Sequence, residues 1–251
     1  LHDHDHHTPA DTTTTPLDDD GCHMAFGEGR TLDLYPAMPG NVNALNAAAA
    51  LSLALAVGIR QDDPALSAME KVRVPGRMER FLSADGIIGY VDFAHNGAST
   101  AALLDYVDER YGNRRPRVVL VTGSAGNKAI DRRREIVQAA QGRVQSYVFT
   151  LDDPNFEDPR AIAEDMRSEV HDPGARTTIV LPREDAIREG VADARRHPGL
   201  NVVLVIGKGE ETCNIVRGRQ VPYEGDASIL RRELDAAGNR PDPDRLRVEG
   251  S

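Results

Sequence analysis

The sequence predicts an α/β protein: a Rossmann-like, mostly parallel sheet with helices on both faces. Two observations predict it. From residue 86 onward, short runs such as RVVLVTG (117–123) and NVVLVIGKG (201–209) are apolar throughout rather than alternating, as strands covered on both faces must be. Between them lie amphipathic stretches of helical period, and strands alternating with helices are the pattern of parallel βαβ units. A chain of 251 residues with 40% hydrophobic and 28% charged side chains is ordinary for one large or two small globular domains.

Taken in order, residues 1–23 are polar and rich in Asp, Thr and His, and read as a flexible loop. His2, His4, His6 and His7 fall there. A solvated loop with adventitious metal affinity is favoured over a built metal site, because no packed shell would hold the ligands. Residues 24–38 alternate like a hairpin with Gly27-Glu28-Gly29 at its turn. Residues 41–59 read as a helix capped by Asn41 or Asn43, filled by Ala and Leu, and ended by Gly58. KVRVPG (71–76) marks a boundary, which divides the chain into 1–72 and 73–251. Beyond it, strands are expected at 86–94, 117–123, 146–151, 177–182 and 201–209. Helices are expected at 96–112, 131–142, 159–170, 183–196 and 227–238, followed by a polar tail.

Several functional classes are disfavoured at once. A net charge of −10 argues against a general nucleic-acid binder, which needs a basic surface. Two cysteines, Cys22 and Cys213, make no disulfide framework, so a reducing cytoplasm is expected. The longest apolar candidate, 44–59, is Ala-rich and interrupted by Asn46 and Ser52, short of a membrane span. No signal peptide is evident, and Leu1 is not a natural start, so a fragment of a longer chain is expected.

In parallel α/β sheets ligands sit beyond the carboxyl ends of the strands. Four unusual segments lie there: VDFAHNG (91–97), VTGSAGNKAIDRR (121–133), TLDDPNFEDP (150–159) and IGKGEET (206–212). Gly123, Gly126, Lys128 and Arg132–Arg134 suit an anion at a helix start, or equally a tight turn with surface basic groups. The run matches neither GxxxxGK[ST] nor GxGxxG, which disfavours a dinucleotide oxidoreductase. Lys208 fits a phosphate or carboxylate and Glu210 or Glu211 an ammonium, with a solvated turn as the alternative. Asp92 suits ribose hydroxyls, and His95 is either beside the ligand or a satisfied core histidine. Arg77, at the boundary, is a surface arginine or a hinge contact. Asp152, Asp153, Glu157 and Asp158 crowd the end of one strand, as a solvated loop or as a pocket for a cation.

The ordered set VPGRMERF, VDFAHN, GSAGNK…RR, DDPNFEDP and GKGEE resembles the ATP-dependent Mur ligases, in particular the third-residue ligases of peptidoglycan precursors, over about residues 30–230. The resemblance implies a C-terminal amino-acid-binding domain preceded by the end of the central ATPase domain. It implies a cytoplasmic ligase that uses ATP with Mg2+, held mainly by the central domain, and acts on a UDP-N-acetylmuramoyl-dipeptide through an acyl-phosphate. A monomer is the expected state. By motif position it assigns Arg77, Asp92 and His95 to ATP, and Lys128 to the amino acid's carboxylate. Asp152, Asp153 and Asn155 line the side-chain pocket, and Gly207 and Glu211 engage the far end of the amino acid.

Two positions depart from the pattern. Diaminopimelate-adding members carry DNPR where this chain has DDPN, so Asn155 stands in place of an arginine that would fork onto a second carboxylate. With Asp153, Glu157 and Asp158 nearby, the expected substrate is L-lysine, with ornithine or diaminopimelate as alternatives. Glu210 stands where the family usually has His. Since the phosphate-loop motif is absent from this sequence, the 251 residues alone are expected to be inactive. A non-catalytic Rossmann-like binding module is the alternative of a different class.

Overall fold

A computed structural model describes residues 13–16, 22–26 and 30–236. The chain divides into two compact units, residues 1–74 and 75–251.

In the first unit, strands β1 (Thr13–Pro16), β2 (Cys22–Phe26) and β3 (Arg30–Leu34) form an antiparallel sheet in that order. The expected hairpin is the β2–β3 pair, with Phe26 opposite Arg30. Its turn, 27–29, and the histidines at 2–7 lie outside the described residues. Helix α1 (Asn41–Ala56) buries Ala44, Ala48 and Leu51 in a small core with Met24, Leu34 and Leu66, the last from a 3-10 helix, Pro64–Lys71. The start of α1 corrects the sequence reading. Gly40 is the N-cap, no side chain caps the helix, and Asn43 donates instead to the Pro39 carbonyl at 2.8 Å. The end matches expectation. Gly58 at φ 93° lets its N–H reach Leu55 O and the Ile59 N–H reach Ala54 O, a Schellman closure.

The second unit holds a six-stranded sheet. In chain order its strands and helices are β4 (Glu79–Leu82), β5 (Ile88–Asp92), α2 (Gly97–Tyr111), β6 (Arg117–Thr122), α3 (Asp131–Ala140) and β7 (Ser146–Phe149). There follow α4 (Pro159–Ser168), β8 (Arg176–Ile179), α5 (Arg183–Arg195) and β9 (Asn201–Ile206). A hairpin, β10 (Cys213–Val216) with β11 (Arg219–Pro222), precedes α6 (Asp226–Asp235). The sheet order is β4-β5-β9-β6-β7-β8. All neighbours are parallel except β4, an antiparallel edge strand.

Each buried strand sends alternate residues to opposite faces, as the two-residue period requires. Tyr90, Leu120, Phe149 and Leu204 pack with α2, α3 and α4. Val91, Val121, Val148 and Val205 pack with α5 and α6. This is the doubly covered parallel sheet that continuous apolar strands predict.

The starts of α5 and α6 are joined by a buried ion pair. Arg183 Nε donates to Asp226 Oδ1 and Nη2 to Oδ2, each at 2.7 Å. Both side chains are almost wholly buried. Nη2 also reaches Ile206 O at 2.9 Å, and Tyr223 donates its hydroxyl to Asp226 at 3.2 Å. Removing one partner strands the other charge, whereas replacing both by apolar groups removes the desolvation cost as well. Asp226→Ala is therefore expected to cost roughly 3–5 kcal/mol in urea unfolding, and the double change Arg183→Met/Asp226→Leu clearly less. Equal losses in the two variants would show that the fork itself is not what the fold depends on.

Candidate functional site

Strand register brings the four segments to one edge. Asp92 at the end of β5 lies beside Ile206 at the end of β9, Val121 beside Val205, and Thr122 beside Phe149 at the end of β7. The loops that follow enclose a cleft of about 190 Å³. Phe93 and His95 after β5 and Gly123, Ser124, Lys128 and Arg132 after β6 form part of its lining. Asp152 and Asp153 after β7, with Gly207 and Glu211 after β9, complete the opposite side.

Asp152 is the buried centre of that side. It is wedged between two glycines: a Cβ on Gly207 would stand 2.3 Å from its Oδ2, and one on Gly123 2.7 Å from its Cβ. Gly207 also holds φ 113°, a conformation that favours glycine. Burial pushes the Asp152 carboxyl up, while the charges of Arg183 and Lys208 act against that rise.

Asp153, at φ 43°, accepts from Lys208 Nζ at 2.7 Å and from the Ile215 N–H at 2.8 Å, both on Oδ1. Lys208 also contacts Glu211 Oε2 and is 1% exposed. Its ammonium is held charged, because these carboxylates outweigh its burial. The alternatives that give Lys208 an external anion or a solvated turn are thus replaced by an internal role. Its cationic head faces the acidic side of the cleft.

The rest of the acidic segment is committed elsewhere. Glu157 accepts from Arg133 at 2.7 Å and from the Asn127 N–H, and those bonds hold its carboxyl below the usual range. Asp158 caps α4 by accepting from the Arg160 N–H at 3.0 Å. Asn155, at φ 51°, faces the β10–β11 hairpin rather than the cleft lining. Its N–H donates to Ile215 O at 2.9 Å, and its side-chain oxygen accepts from the Gly218 N–H at 3.1 Å. The structure therefore brings Asp152, Asp153, Gly207 and Glu211 together and leaves Asn155, Glu157 and Asp158 outside.

On the other side Lys128 and Arg132 line the cleft, and among the described residues neither has an ion-pair partner. The loop that carries Lys128 and leads into α3, where Arg132 sits, includes Ala129 at φ 50°, a left-handed conformation that costs about 1–2 kcal/mol for a residue with a Cβ. The cleft is thus bipolar, cations on the β6–α3 side and carboxylates on the β7 and β9 sides.

At the β5 end, Asp92 accepts from the Met78 N–H at 2.8 Å and the Ala94 N–H at 2.7 Å. Burial raises its carboxyl despite those bonds and the nearby charges of Arg77 and His95. Arg77 lies over the Phe93 ring, 4.5 Å from its centroid. His95 bonds Phe93 O through Nδ1 at 2.8 Å. Of these three, only His95 lines the cleft itself. No group of three or more His, Cys, Asp or Glu among the described residues is placed to hold a metal ion.

Sequence reasoning missed Arg183 and the hairpin. A signal for Arg183 existed: an arginine in the first turn of a helix opposes the helix dipole and asks for a buried anionic partner. Because Asp152 is raised by burial, its charge destabilises the fold as pH climbs. Its contribution is intact below the unfolded-state value and is lost as pH rises through the folded value. Asp152→Asn is expected to unfold at higher urea than wild type at pH 8, with the gain shrinking toward pH 4. A loss of stability at pH 8 would contradict this.

Residues 76–209 match the family model described as Mur ligase, glutamate ligase domain. A UDP-N-acetylmuramyl-tripeptide synthetase of Bifidobacterium longum is 42% identical, over 92% of this chain and 46% of its own length. A UDP-N-acetylmuramoyl-L-alanyl-D-glutamate--L-lysine ligase of Streptococcus sanguinis is 34% identical, over 78% of this chain and 39% of its own length. The chain therefore spans less than half the length of these curated relatives. Among solved structures, a UDP-N-acetylmuramoyl-L-alanyl-D-glutamate--2,6-diaminopimelate ligase shares the fold with TM-score 0.59 at 23% identity, over 92% of this chain and 46% of its own. A Mycobacterium tuberculosis folylpolyglutamate synthase complexed with ADP and AMPPCP shares it with TM-score 0.60 at 22% identity, over 92% and 49%. The chain belongs to the Mur ligase family and carries that family's glutamate ligase domain.

Proposed function

We propose that this chain is the amino-acid-binding part of an ATP-dependent, cytoplasmic and monomeric ligase that adds L-lysine to UDP-N-acetylmuramoyl-L-alanyl-D-glutamate. The observation that carries the reading is the bipolar cleft. Its volume of about 190 Å³ is below the roughly 300–1,000 Å³ of sites for drug-sized molecules and suits a single amino acid. Lys128, with Arg132 beside it, takes the α-carboxylate, and Asp152 and Glu211 take the side-chain ammonium. The names of relatives support the choice of amino acid, since ligases of two streptococci that match this chain are L-lysine ligases.

In this reading residues 1–72 are the end of the central ATP-binding domain and 73–251 the C-terminal domain. Arg77, Asp92 and His95 belong to the ATP side. The Asp92 carboxylate, already accepting two backbone N–H bonds, keeps lone pairs for ribose hydroxyls. The γ-phosphoryl of ATP passes to the dipeptide carboxylate, giving an acyl-phosphate and ADP. The amine of the bound amino acid, in its neutral form, attacks the acyl carbon and phosphate leaves. This chain's part is to hold that amine in position, which is worth most when the reacting geometry is fixed in advance. No step is assigned to Mg2+.

Asn155 supports lysine over diaminopimelate in a manner different from the sequence expectation. Its neutral amide is engaged by the hairpin, so it adds no cation for a second carboxylate. In an NMR titration of the 251-residue chain, L-lysine is expected to shift the Gly123 and Gly207 amide signals, and meso-diaminopimelate to bind at least tenfold more weakly. Lys128→Ala should weaken L-lysine by tenfold or more. Preference for meso-diaminopimelate, or L-lysine binding indifferent to Lys128, would sink the assignment.

A further inference from the structure

The acidic side of the cleft contains its own cation. Lys208 leaves the end of β9 through Gly207 and turns inward, where 1% of its side chain is exposed. Its Nζ is 2.7 Å from Asp153 Oδ1 and contacts Glu211 Oε2. The first carboxylate belongs to the loop after β7, the second to the loop after β9. Asp153 Oδ1 also takes the Ile215 N–H, so the same cation reaches the hairpin through one intervening carboxylate. Lys208 thus ties the loop after β7 to the loop after β9, while the hairpin is held to the first of these by its own backbone bonds through Asn155.

The two carboxylates differ in how well they are held. Asp153 is fixed by its own left-handed backbone and by the Ile215 bond, with its side chain 16% exposed. The Glu211 side chain is 41% exposed, and Lys208 is the one partner recorded for its carboxylate among the described residues. Without Lys208 nothing described in the structure would keep Glu211 turned toward the cleft. Rotamer freedom would carry it into water, where its charge is better solvated. The other charges facing this cluster are Asp152 from the β7 loop and Arg183 from α5, and Arg183 is matched by Asp226 of α6. Among the described residues, no second cation of the wall is free to replace Lys208.

We propose that Lys208 is a positioning residue for the ligand's side-chain cation. It holds Glu211 and Asp153 as one acidic wall and leaves Glu211 Oε1 and Asp153 Oδ2 directed to the incoming ammonium. It does not itself touch the ligand. The inference rests on the reading of the cleft as an amino-acid site and adds what makes its acidic wall selective for a cationic side chain.

Two amino acids of similar length separate this role from simple damage to the fold: L-lysine, which carries the side-chain ammonium, and L-norleucine, which lacks it. Each is titrated into the 251-residue chain and followed by amide NMR. Lys208→Met is expected to weaken L-lysine at least tenfold and L-norleucine less than threefold. In a Glu211→Gln background the same change is expected to cost L-lysine less than threefold, because positioning acts through Glu211. Equal weakening of both amino acids, or the full cost persisting in the Glu211→Gln background, overturns the proposal. If Lys208→Met does not fold, the wild-type chain supplies the test: the Lys208 15Nζ signal shifts with saturating L-lysine and not with L-norleucine. A signal unmoved by L-lysine overturns the proposal. A wild-type chain that binds neither amino acid removes the amino-acid reading and this inference together. One that prefers L-lysine regardless of Lys208 removes only this inference.

Discussion

The buried fork of Arg183 on Asp226 is the interaction on which the rest of the second unit depends. A guanidinium taken out of water is tolerated only when its donors are paired. Here they go to both oxygens of Asp226 and to the carbonyls of Ile206 and Leu151, the last at 3.3 Å. Those four acceptors lie at the start of α6, the end of β9 and the segment just after β7. Fixing them fixes where the Gly207 turn and the Asp152 backbone begin, and so the depth and shape of the cleft. The charge that anchors the site is thus not a charge that meets the ligand.

The same separation runs through the acidic segment. A count of carboxylates makes it look like a large negative patch, yet most of that charge is spent inside the protein. Asp158 satisfies a helix start, Glu157 meets Arg133, and Asp153 meets Lys208. In the proposed site, what remains for an outside cation is narrow: the buried Asp152 and the oxygens of Asp153 and Glu211 that Lys208 does not contact. A small, partly neutralised wall discriminates better than a broad negative surface, because a cation that misses it finds little else to bind.

Much of the fold was legible because burial on two faces leaves a strong compositional trace. Val118–Val121 and Val202–Ile206 leave room for no other reading, and among the helices between them α4 carries its own start in Asp158 and Pro159. The edge strand β4 was not legible, since only Phe81 of Glu79–Leu82 is buried and the segment reads as polar. Nor was the β10–β11 hairpin, in which β10 is partly buried, β11 is exposed throughout and Arg217 sits in the turn. In the site, the residue types and the sheet edge were legible from the four strand ends. The direction of each charge was not. Lys208 between two glycines reads equally as an anion contact or a solvated turn, and Arg183 at a helix start signals that an anionic partner is needed without saying which. Their partners are 55 and 43 positions away, and no local pattern records a pairing at that distance.

The insertion of β9 between β5 and β6 has a consequence for how the molecule comes into being. On a ribosome, β5 and β6 emerge long before the strand that separates them. Until residue 206 is free of the exit tunnel, the centre of the sheet is missing, and two partial sheets present open edges. The cleft is completed by the same event, because Gly207 and Glu211 of its acidic side follow β9. Such late, long-range closure slows folding and lengthens exposure to aggregation. Nascent chains of this protein therefore pass through a stage that needs protection, and they become competent to bind a ligand only at the end of it.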